Sequence, residues 1–79
     1  MKITLKFLAN YRQYLPPEAI GGQYDMEIET GLHALEIVAQ FGVPTDENSV
    51  ILVNGRTPKQ EDILQDGDIV FVFPAMAGG

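Results

Sequence analysis

Side chains able to carry chemistry are sparse in this sequence. His33 is the sole histidine, Ser49 the sole serine, and cysteine is absent. Without cysteine there is no disulfide, no thiolate metal site and no thiol nucleophile. His33, with no second histidine to share a metal, reads as an ordinary surface residue near a helix start. Ser49 has no histidine close in sequence to take its proton. The acids Glu61, Asp62, Asp66 and Asp68 could suit a hard cation, but they lack the ligand spacing of a calcium loop, and Asp66-Gly67-Asp68 is accounted for as a turn. Gly21-Gly22 opens no helix and so makes no phosphate-binding loop. Neither a catalytic constellation of side chains nor a metal site is expected.

The remaining candidate is main chain. The sequence closes on "FPAMAGG", residues 73–79, and with 8 glycines in 79 a terminal pair has odds of about one in a hundred on composition alone. The reactive group that such an ending offers is the α-carboxylate of Gly79. A thin tail over residues 75–79, expected to be flexible, can thread a narrow channel through Met76, Ala77 and Gly78. It would present that carboxylate inside another protein's active site.

Stepwise along the chain, alternation of strand and helix patterns supplies the body that positions this tail. In "KITLKFLA", residues 2–9, Ile3, Leu5 and Phe7 fall on one face, the period of a half-buried strand. "NYRQYL" allows a turn and a half of helix before Pro16 and Pro17 stop it. Tyr24, Met26 and Ile28 alternate inward over 24–29, so the first two strands form a wide hairpin. A helix is expected over 31–42, with Thr30 as N-cap and Leu32, Leu35, Val38 and Ala39 along its core stripe, widened by Ile37 and Phe41. Gly42 and then Pro44 end it. "VILV", 50–53, is a strand, Asn54-Gly55 a tight turn into a short strand near Arg56–Pro58, and "IVFVF", 69–73, the last strand. The order is β-β-α-β-β-β.

Composition bounds the setting. Seventy-nine residues, 46% of them apolar, make one domain with a real core. A net charge of −6 disfavours nucleic acid or an anionic membrane as partner and suits a basic protein surface. No apolar run reaches membrane-spanning length and the start lacks a signal-peptide layout, so a cytoplasmic location is expected.

With "VNGR" (53–56), "LQDGDIVFVFP" (64–74) and the closing "AGG" in this order, the sequence resembles the MoaD/ThiS family of ubiquitin-like sulfur carriers. "FLANYRQYLPP" and Phe73-Pro74 lean toward the MoaD branch, the small subunit of molybdopterin synthase, although Ala75 stands where that branch often has a second proline. The resemblance spans nearly the whole chain. It implies an α+β, β-grasp fold: one domain over 1–79, a mixed sheet with one main helix packed across it. It also implies a mechanism in which the protein is a cosubstrate or non-catalytic subunit, not an enzyme, and binds no cofactor. An E1-like adenylating enzyme of the MoeB/ThiF type would use ATP to adenylate Gly79, and a sulfur donor would convert it to a thiocarboxylate. The sulfur would then pass to a pterin precursor in a large synthase subunit of the MoaE type. If Val70 and Val72 point inward, Phe71 and Phe73 point out, and Leu52 does so by the same parity. Neighbouring strands in ubiquitin-like folds would gather these three into a docking patch. Other pathways (thiamine thiazole, tungsten cofactor, amino acid), a protein modifier conjugated through Gly79, and a non-covalent binding module are the alternatives.

Overall fold

The computed structural model describes residues 1–75. Four strands form a single mixed sheet in the spatial order β2-β1-β4-β3: β1 is Lys2–Phe7, β2 Gln23–Glu27, β3 Ser49–Val53 and β4 Ile69–Pro74. β1 pairs antiparallel with β2 and parallel with β4, and β3 pairs antiparallel with β4. One helix, α1 (Ala34–Gln40), packs on one face of the sheet, and a 3-10 helix (Ala9–Tyr14) follows β1. This is the β-grasp arrangement expected from the sequence.

The alternating pattern of the two central strands decides which face is the core. Ile3, Leu5 and Phe7 on β1, with Val70 and Val72 on β4, are wholly buried. Ile37 and Val38 of α1 close over them, and Tyr24, Met26 and Ile28 pack at the margin. The Phe41 ring meets Phe7 edge-on at 5.9 Å and Tyr24 at 6.3 Å, an arrangement favoured by the aromatic quadrupole.

The helix corrects the sequence expectation in three ways. It begins at Ala34, not 31, and its N-cap is His33, not Thr30. Gly31 has φ +87°, which no right-handed helix accommodates, and the Leu32 carbonyl accepts the Leu64 N–H at 2.8 Å, so the backbone there is committed to a distant segment. The core stripe is consequently Ala34, Ile37, Val38 and Phe41, the spacing of one helical face. Leu35 is 51% exposed and Ala39 is exposed, so neither belongs to it.

The short strand expected near Arg56–Pro58 is also absent. Asn54 and Gly55, at φ +54° and +85°, make the tight turn, but only Val53 and Arg56 pair across it. Pro58 has no N–H with which to continue a ladder. The wide β1–β2 connection is tied back instead by Gly22, whose carbonyl accepts the Phe7 N–H at 2.8 Å.

Candidate functional site: the outer face of the sheet

The face of the sheet opposite α1 carries the residues singled out for docking. Val70 and Val72 are buried, so Phe71 and Phe73 point to the other side, as parity required. The register sets Leu52 directly beside Phe71 and Val50 beside Phe73. All four are half-buried, forming one apolar area across β3 and β4. Leu52, Phe71 and Phe73 are therefore brought together.

Two neighbours of this area were not read from the sequence, because their place beside it depends on the parallel β1–β4 pairing. Lys6 lies beside Phe71, and its Nζ sits 5.7 Å from the ring centroid, within cation–π range. Leu8, one residue beyond the Phe7–Val72 pair, donates its N–H to the Val72 carbonyl at 2.9 Å and is 41% exposed. It extends the apolar area toward the C-terminal end of β4. The other half of this face is polar: Thr4 donates its hydroxyl proton to Asp25 Oδ1 at 2.8 Å, and Lys2 stands opposite Glu27.

The C-terminal end of β4 leads out of this face. The Ala75 N–H is donated to the Asn48 carbonyl at 2.9 Å, so pairing with the β3 side continues into the segment expected to be tail. Tyr11 braces the same corner: its hydroxyl lies 2.7 Å from Ser49 Oγ and 3.2 Å from the Asn48 carbonyl. Met76, Ala77, Gly78 and Gly79, expected to thread and to carry the reactive carboxylate, lie outside the described residues.

The polar residues considered for side-chain chemistry hold the backbone of the molecule. Asp62 Oδ2 accepts the Lys59 N–H, Asp66 Oδ1 the Lys2 N–H and Asp68 Oδ2 the Gln65 N–H, at 2.7–2.9 Å. Among the described residues no three of His, Asp and Glu converge to hold a metal ion. His33 is more than a surface residue. Its Nδ1 lies 2.7 Å from the Asp62 carbonyl oxygen, within hydrogen-bond distance. Its backbone N–H is in turn donated to Glu36 Oε1 at 2.8 Å, half of a capping box. The Ser49 hydroxyl is engaged with Tyr11. No helix of the described residues is long and apolar enough to cross a membrane.

Comparison with known proteins adds two findings. A structure from Pyrococcus furiosus, described as molybdopterin converting factor, subunit 1, superposes with a TM-score of 0.71 at 25% sequence identity, over 95% of this chain and 98% of that one. The family model for Mut7-C ubiquitin matches residues 1–78. The ubiquitin-like resemblance read from the sequence is upheld, and the Mut7-C branch is one that the sequence motifs had not singled out. The chain belongs to the Mut7-C ubiquitin family.

Proposed function

We propose that this protein is a sulfur carrier of the molybdopterin-synthase small-subunit type, acting through the carboxylate of Gly79. The observation that carries the reading is the end-to-end structural match to the protein described as molybdopterin converting factor, subunit 1, which leaves almost nothing of either chain unmatched. The closing Gly78-Gly79 pair supports it chemically.

The Gly79 carboxylate oxygen attacks the α-phosphate of ATP in the active site of an E1-like adenylating enzyme, and pyrophosphate leaves. The resulting acyl adenylate is a mixed anhydride with a good leaving group. Sulfide delivered by a sulfur donor forms the C–S bond as the C–O bond to AMP breaks, giving a thiocarboxylate. That sulfur is a better nucleophile than a carboxylate oxygen and is transferred in a large subunit of the MoaE type. ATP belongs to the activating enzyme, and the carrier itself supplies no catalytic side chain. Leu52, Phe71 and Phe73 dock the body on its partners, while Met76, Ala77 and Gly78 pass through the channel. Bare glycine backbone allows that channel to close tightly.

Intact-mass analysis of the protein isolated from its own cells tests the premise first: a chain continuing past Gly79, and not trimmed there, overturns the reading. ATP–pyrophosphate exchange with the adenylating enzyme, then a mass gain of one sulfur-for-oxygen exchange, is the expected result. One residue added after Gly79 displaces the reactive carbonyl by up to ~3.6 Å, whereas reacting atoms must approach to about 3–3.5 Å. Extension should therefore abolish both signals, and Gly78→Val should depress them while leaving thermal unfolding unchanged. Lysine-linked conjugates in place of the sulfur gain would identify a protein modifier instead.

A further inference from the structure

The outer face is apolar on one half and charged on the other, and its charges are not evenly matched. Glu27 pairs with the N-terminal ammonium at 3.6 Å and Asp25 accepts the Thr4 hydroxyl proton, so each acid on the β1–β2 half of this face is engaged. Lys6 faces neutral Gln23 on that side and Phe71 on the other. Among the described residues no carboxylate lies within ion-pairing distance of its ammonium group. It is also not a fully exposed lysine. The side chain is half-buried and its Nζ is held over the Phe71 ring. Part of the entropy that an interfacial lysine loses on binding has therefore been lost already.

We propose that Lys6 is a specificity determinant of the docking face, matched by a carboxylate on the partner protein beside the pocket that receives Leu52, Phe71 and Phe73. This rests on the outer face being the docking surface of the proposed carrier. It reverses the expectation drawn from net charge. The whole chain is acidic, at −6, which suits a basic partner, but the charge bordering the apolar area among the described residues, that of Lys6, is positive and has no carboxylate within ion-pairing distance. A partner selected by this face presents an apolar patch with an acidic rim, and a uniformly basic surface is rejected. Leu8, 41% exposed beyond Lys6 on the same strand edge, widens the apolar side of the contact.

The probe is the purified E1-like adenylating enzyme of the same cell, titrated with the full chain by calorimetry at low and high salt. Lys6→Glu should weaken binding at least about tenfold at low salt, because like charges are then opposed at the contact. Lys6→Met keeps the stem over Phe71 and should lose less affinity but most of the salt dependence. Lys59→Glu makes the same charge change in a groove shared with His33 and Leu35, on the helix side of the sheet, and should leave affinity unchanged. Equal effects of Lys6→Glu and Lys59→Glu, or a salt dependence untouched by Lys6→Met, would overturn the assignment. Thiocarboxylate formation at saturating enzyme separates the two levels. Normal sulfur loading with unchanged affinity in Lys6→Glu refutes only the role of Lys6. Absence of loading in the native chain refutes the carrier reading, and this inference with it. Self-association in sedimentation that Lys6→Glu abolishes would make a second copy the occupant and overturn the proposal as well.

Discussion

Replacing Ile37 by alanine is the sharpest test of how the helix sits on the sheet. Ile37 is 1% exposed and lies in the cluster formed by Ile3, Leu5, Val70 and Val72. The change removes three carbons at about 0.8 kcal/mol each in transfer free energy, about 2.4 kcal/mol. The void left behind adds about 24 cal/mol per Å³, so an unrelaxed space of about 50 Å³ contributes a further ~1.2 kcal/mol. The expected loss is about 3–4 kcal/mol, against a total stability of about 4–12 kcal/mol for a chain of this length. At about 4–8 °C per kcal/mol, the midpoint of thermal unfolding should fall by about 12–32 °C. Leu35→Ala on the same helix is the control. Leu35 is 51% exposed, so removing its side chain should cost no more than about 1 kcal/mol, partly offset by the higher helix propensity of alanine. Urea melts of the two variants, with m compared to confirm two-state behaviour, give the ranking directly. A Leu35→Ala loss equal to or larger than that of Ile37→Ala would show that the stripe Ala34, Ile37, Val38 and Phe41 is not the buried face.

The same melts check two further substitutions. Gly21→Ala meets open space and bears only the strain of φ +60°, about 1–2 kcal/mol. Gly22→Ala, at φ +80°, would also bring its Cβ to 2.7 Å from the Phe7 carbonyl oxygen and should be the more damaging; the reverse order would refute the close approach of the two segments. Tyr11→Phe removes the hydroxyl shared with Ser49 and the Asn48 carbonyl and should cost about 1 kcal/mol. A neutral result would show that this corner does not depend on the bond. Phe73→Asp and Leu52→Asp should each weaken binding to the adenylating enzyme or the large subunit about 30-fold, the scale of an interface hot spot, with the circular dichroism spectrum unchanged. Unchanged calorimetric affinity in both would remove the apolar area from the docking surface.

Legibility in the sequence followed the range of the interactions concerned. Strand parity is local, so the inward set Ile3, Leu5, Phe7, Val70 and Val72 and the outward pair Phe71 and Phe73 could be read from alternation alone. The helix start could not. Thr30 followed by an apolar run is a sound local signal, but the bond from Leu64 N–H to the Leu32 carbonyl joins segments far apart in the sequence and holds that stretch outside the helix. One residue of phase, about 100° of helix rotation, then separates the expected stripe through Leu35 from the observed one through Ala34, enough to turn Leu35 from core to surface. Alternation sets Lys6 on the outer face, but its place beside Phe71, and that of Leu8, were missed for a similar reason. Their place beside β4 follows from a parallel pairing of strands more than sixty residues apart, which no window of sequence displays.

The acids and the lone histidine offer no catalytic geometry for a reason rooted in the size of the domain. The one α-helix has seven residues, and the 54–68 stretch between β3 and β4 contains no regular element. Backbone N–H groups there lack the partners that helices and ladders supply, and leaving them unmet when shielded from water is costly. Asp62 and Asp68 each accept such an N–H, Asp66 accepts the Lys2 N–H where β1 begins, Glu36 the His33 N–H at the helix start, and Asn54 Oδ1 the Ile69 N–H where β4 begins, while His33 Nδ1 meets the Asp62 carbonyl. These side chains are already engaged in closing irregular chain. A cluster that looks acidic enough for a cation in the sequence is therefore dispersed over separate backbone contacts in the fold. Among the surfaces the described residues leave to a partner is the outer face, where Leu52, Phe71 and Phe73 are half-buried and no carboxylate lies within ion-pairing distance of Lys6. On the proposed reading, such a domain would meet its partner through this surface, with the chemistry left to the C-terminal main chain.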